Sequence, residues 1–130
     1  MMQSKDTQDK SESKRGEGLR ANYLQAGHSA ADVELMVRVE LVTVDALPES
    51  KLAWRHACAE WGAGSPGALG WLLQLIRDTY GNARAYVEAS AYSHRWSVNT
   101  CTRPLRQLAV GETEFEALVS ALEEATHAQG

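Results

Sequence analysis

The chain has 130 residues, 44% of them hydrophobic and 23% charged, and its net charge is −4. That length suits one hydrophobic core rather than two, and the composition is that of an ordinary globular domain. No apolar run approaches the ~20 residues that a membrane-spanning helix needs, and an acidic total argues against non-specific nucleic-acid binding while leaving room for a local basic face.

From residue 1 to about residue 20 the chain is nearly all Ser, Gln, Asp, Glu, Lys, Arg and Gly. Such a stretch cannot bury enough apolar surface to offset its ordering entropy, so residues 1–20 read as a disordered polar tail and residues 21–130 as a single globular domain. The same polar start lacks the apolar core of a secretory signal, and Cys58 and Cys101 read as thiols of a reducing compartment rather than as a bridge. The expected location is the cytoplasm.

A short helical turn is expected around Tyr23 and Leu24, ended by Gly27. Residues 35–44 carry two rhythms. With period two, Leu35, Val37, Val39 and Leu41 face one way and Arg38 and Glu40 the other. With the helical period, Val33, Met36, Val37, Leu41 and Val44 form a stripe behind Ser29 and Asp32, which resemble a capping box. The density of β-branched residues favours a strand. Pro48 then opens a helix over about 49–61, whose stripe is Trp54, Ala57, Cys58 and Trp61.

The clearest element runs from Ser65 to Tyr80. Ser65 is placed to cap, Pro66 suits the first helical position, and Leu69, Leu72, Leu73, Ile76 and Tyr80 recur at three- and four-residue intervals before Gly81. An apolar stripe this wide predicts the central helix of the core. Beyond it, alternation over 84–91 and 95–101 predicts a β-hairpin able to pair with the strand at 35–44. Pro104 limits 102–108 to a short turn. Thr113 with Glu116 marks the start of a last helix, with Phe115, Leu118, Val119 and Leu122 on its buried face. The expected fold is therefore α+β and helix-rich: a strand, a central two-helix unit, a hairpin and a C-terminal helix. The alternative is all-α, with a tri-helical helix-turn-helix-like core.

Residue types that do chemistry are few and poorly spaced. His56 and Cys58 are two apart, so on a helix they diverge, and no C-x-x-C or H-x-x-x-H pair joins them to His94 or Cys101. The glycines of 62–67 precede a helix but match no phosphate-binding pattern. No metal, cofactor or catalytic residue is assigned. Residues 66–110, by contrast, hold five arginines against Asp78 and Glu88. Arginine beside exposed aromatics suits both protein hot spots and stacked bases. The candidate binding set is Tyr92, His94, Arg95, Trp96, Asn99, Arg103 and Arg106.

These features favour a small non-catalytic cytosolic protein that binds or regulates through contacts with another protein or with itself. The runner-up is a DNA-binding helix-turn-helix regulator using residues 83–108, with Ser97 capping a recognition helix and Asn99, Thr100 and Arg103 pointing outward. A small enzyme, or an accessory subunit of one, comes third. No membrane partner is expected.

Overall fold

The computed structural model describes residues 16–47, 49–62, 64–90, 93–100 and 106–129, with the side chains of 44–46, 51 and 127–129 left aside. Within them the fold is α+β and helix-rich, with five helices and a three-stranded antiparallel sheet packed against the C-terminal helix. In chain order these are α1 (residues 16–25), α2 (Ala30–Ala46), α3 (Ser50–Trp61), α4 (Pro66–Tyr80), β1 (Tyr86–Ala89), β2 (Trp96–Asn99), β3 (Gln107–Gly111) and α5 (Glu114–Gln129). No helix among the described residues is long and apolar enough to cross a membrane. Helix α1 includes residues 16–20, which the sequence reading gave to the tail, while residues 1–15 lie outside the described residues.

The largest correction is at 35–44, where a strand was expected and a helix stands. Ser29 holds an extended backbone and its Oγ accepts from the Asp32 amide at 3.2 Å, so the first turn of α2 is capped. Val33, Met36, Val37, Glu40 and Thr43 are all buried along one helical face, and Val39 joins them. Burial of two consecutive residues, Val39 and Glu40, cannot be met by a strand facing a single core. Helix propensity disfavours each valine by only about 0.5 kcal/mol against alanine, and burying those side chains against α3 and α5 outweighs it.

The hairpin forms as read, with Val87 opposite Val98 and Ala89 opposite Trp96. Its third strand is β3 rather than residues 35–44: β2 lies in the middle, pairing Trp96 with Gly111 and Val98 with Ala109. Of the stretch 102–108 that was read as a short turn, 107–108 belong to β3, and 101–105 lie outside the described residues. A β-bulge falls where Val98/Asn99 meets β3. It sets two neighbours, Leu108 and Ala109, against the core, as bulges do when two residues face one.

Helix α4 begins and ends where its caps predict. The Ser65 Oγ accepts from the Ala68 amide at 3.3 Å, and Gly81 turns left-handed with φ 65° to close the last turn. The hub of the fold is nevertheless α5. Its first turn is capped by Thr113, whose Oγ1 accepts from the Glu116 amide at 3.1 Å. Phe115, Ala117, Leu118, Val119, Ala121, Leu122 and Ala125 are buried around most of its girth. One side lies on all three strands and the other on α2 and α4. Trp54 of α3, buried against the rings of Trp71 and Phe115, ties the helical layer to this hub.

Candidate functional site

Among the described residues, two groupings of polar side chains bear most on function, beside the Arg38, Ser120 and Glu123 set that ties α2 to α5. The first is the outer face of the sheet. Strand register puts Val87, Val98 and Ala109 in one row and Glu88, Ser97 and Val110 in the next. Adjacent rows point to opposite faces. Val98 is fully buried beneath α5, so the row Glu88–Ser97–Val110 lies on the face that no described helix covers. Val110 is 41% exposed there. An open hollow of about 660 Å³ lies over this row, rimmed by Ser90, Ser93, Arg95 and Gln107. Small-molecule pockets are enclosed and mainly apolar. A broad polar hollow on a sheet has instead the form of a contact surface with a polar rim.

The candidate residues divide along this sheet. His94 and Arg95 are exposed in the β1–β2 turn, which the Ser90 amide closes by donating to the Arg95 carbonyl at 2.8 Å. Trp96 opens β2 on the covered side and packs against the core. Asn99, at the far end of β2, donates from Nδ2 to Ser97 Oγ at 3.0 Å. Exposed Arg106 is held at that same end, where its carbonyl accepts from the Thr100 amide at 2.8 Å. Five residue steps of extended chain separate Arg95 from Thr100, about 17 Å. The two arginines therefore belong to opposite ends of the sheet. Tyr92 and Arg103 lie outside the described residues.

The recognition helix read over 97–108 does not form. Ser97, Val98 and Asn99 are strand residues of β2, and Gln107 and Leu108 belong to β3. Their alternation, with Val98 buried between half-buried Ser97 and Asn99, satisfied the sheet and left no helical stripe. Ahead of β2, where the helix-turn-helix reading of 83–108 needs a preceding helix, Tyr86–Ala89 form β1.

The second place went unmarked in the sequence. Glu40, in the middle of α2, is only 1% exposed. Its Oε1 accepts from Arg55 Nε at 2.6 Å and also from Arg55 Nη2, while its Oε2 accepts from the Tyr23 hydroxyl. One carboxylate thus joins α1, α2 and α3. An ionised group at that depth requires such partners, because burial of an unpaired charge is prohibitive. The signal was available in the helical rhythm, where Glu40 falls on the same stripe as Val33, Met36 and Val37. The period-two reading turned it outward.

Burial and the nearby Glu40 carboxylate act on two further groups. Burial, with the hydrogen bond to Glu40, pushes the Tyr23 hydroxyl above its ordinary value. Burial first, and the Glu40 charge second, push the Cys58 thiol up to about 12. A thiol so held is a poor nucleophile at neutral pH. His56, two residues earlier, points to solvent and pairs with Glu60 at 3.1 Å, so it diverges from Cys58. Among the described residues no three His, Cys, Asp or Glu side chains converge on a metal position.

The raised Cys58 value carries a pH consequence. Its folded value exceeds the unfolded value of 9.0, so its contribution to stability is whole below pH 9 and is lost as pH rises toward 12. Tyr23 acts in the same direction. Denaturant titrations should show stability falling across pH 9–12 by a few kcal/mol. Cys58→Ala should remove a large part of that fall, and an unchanged alkaline slope in that variant would refute the assignment.

Comparison with protein-family models, with curated proteins and with solved structures finds no match for this chain.

Proposed function

We propose that this chain is a small, non-catalytic cytosolic protein that binds or regulates another protein by direct contact, using the outer face of its sheet. The observation that carries the reading is the row Glu88–Ser97–Val110, which no described helix covers, opposite the face that α5 buries. A three-stranded sheet with one open face offers a flat, fixed backbone on which a few side chains set specificity. Arg95 stands at its rim beside both the main hollow and a smaller one bordered by Glu112 and Glu116. Arginine is among the residue types enriched in binding hot spots.

The test uses the whole chain, tagged and recovered from native lysate with and without nuclease, beside a Glu88→Lys/Val110→Lys variant. Both side chains are exposed, so the fold should survive the change. A near-stoichiometric protein that resists nuclease and is retained at least tenfold less by the variant is the expected result. Retention of the same protein by both forms would remove the sheet face from consideration. Loss of every partner on nuclease treatment would favour nucleic acid as the ligand instead.

A further inference from the structure

Helix α1 is the least embedded of the helices among the described residues. Of its described residues only Gly16 is buried, where an added Cβ would lie 3.8 Å from Val37 and 4.0 Å from Leu41. Leu24 is half exposed, and the Arg20–Glu34 ion pair lies in solvent, where such pairs contribute little. Its strongest attachment among the described residues is Tyr23, whose ring packs against the core and whose hydroxyl donates to the buried Glu40 carboxylate. The link to α2 runs through Gly27, with φ 98°, a conformation that glycine adopts freely.

We propose that α1 is a displaceable strap over α2 and α3, latched by the hydrogen bond from Tyr23 to the Glu40–Arg55 pair. The asymmetry of the triad makes this workable. When α1 lifts, Glu40 keeps both guanidinium bonds, and water entering where Tyr23 stood satisfies Oε2. No buried charge is left unpaired. The contacts of α2 with α5 and of α3 with α4 do not involve α1 and remain. Opening is therefore sub-global, a local unlatching well below complete unfolding. It uncovers Val37 and Leu41 and takes the Tyr23 ring off the cluster that buries Cys58, which follows Arg55 by three residues on α3. The strap is a feature of the helical layer and does not depend on the sheet-face reading.

Cys58 supplies the readout. With its thiol held up to about 12 in the closed form, reaction at neutral pH reports opening. The experiment measures disulfide exchange of Cys58 with an aromatic disulfide in native buffer, in a Cys101→Ser background, alongside amide hydrogen exchange. Tyr23→Phe keeps the ring and deletes the latch, and should raise the labelling rate on the order of tenfold to a hundredfold. Leu108→Ala, in the sheet layer, should lower global stability and leave the rate unchanged. Amides of residues 19–25 should exchange ahead of those of α5. Labelling unmoved by Tyr23→Phe would overturn the strap. So would labelling that rises in both variants in step with global unfolding, or exchange in α1 no faster than in α5.

Discussion

Gly111→Ala is expected to destabilise the protein by about 3 kcal/mol or more, beyond the usual range for one added methyl in a packed core. A Cβ at this position would meet the Ala117 amide nitrogen at 2.5 Å, the Glu116 carbonyl carbon at 2.9 Å and Ala117 Cα at 3.0 Å. All three are backbone atoms of the first turns of α5, so no side-chain rotation relieves the collision. Helix and strand must separate, and α5 is the element against which all three strands, α2 and α4 pack. Gly67→Ala provides the internal contrast. There the added Cβ would meet Trp61 at 2.8 Å, but the obstacle is a side chain 48% exposed at the end of α3. Its ring can turn away about χ1, leaving the 3.2 Å approach to Trp61 Cβ as residual crowding, which the helix preference of alanine partly offsets. Urea titration should show a lowered midpoint with an unchanged slope for Gly111→Ala, roughly 10 °C of lost Tm by heating, and a clearly smaller loss for Gly67→Ala. Equal losses in the two variants would refute the argument from backbone contact.

The same contact explains why the importance of α5 was not legible in the sequence. Its bulky residues, Phe115, Leu118, Val119 and Leu122, mark one buried side. The other side is made of Ala117, Ala121 and Ala125, four apart, which pass for ordinary helix formers. Small residues at that spacing permit close approach to the sheet, yet composition alone does not separate this use from simple propensity. The wide apolar stripe of α4 did mark a core helix, one that shares the centre with α5. Only Ala68, Leu72 and Ile76 of that helix are buried, and Leu69, Trp71, Leu73 and Leu75 are half-buried against the cluster.

What was legible rested on local chemistry with one solution. The Ser65–Pro66 start and Gly81 stop fixed α4, and Thr113 fixed the start of α5. The hairpin was read from alternation, and its pairing follows that reading. Strand β3 escaped because its bulge places Leu108 and Ala109 on one side, which breaks the period of two over a strand only five residues long. Residues 35–44 carried both periods at once, and the arbiter was the position of α5 in space. The candidate set from Tyr92 to Arg106 had one sequence neighbourhood, but an extended strand moves consecutive residues apart about twice as fast as a helix does. Arg95 and Arg106 consequently parted.

Arg55→Met should cost about 3–5 kcal/mol, more than its own exposure suggests. The guanidinium is 48% exposed, so an argument from Arg55 alone would class its ion pair with weak surface contacts. The partner decides the matter. Glu40 is 1% exposed, and without Arg55 its carboxylate retains only the Tyr23 hydroxyl, a single donor for a full charge. The cost is that of stranding Glu40 rather than the worth of the pair, which makes a triple variant informative. Glu40→Met/Arg55→Met, combined with Tyr23→Phe so that no hydroxyl is orphaned, replaces the triad by apolar groups of similar length. It should recover most of the lost stability, because a buried ion pair traded for packed hydrophobic residues is often neutral. Denaturant titration of the single and combined variants measures the coupling, expected at 3 kcal/mol or more in magnitude. An Arg55→Met loss below about 1 kcal/mol would mean that water reaches Glu40, and with it that the triad does not hold α1, α2 and α3 together.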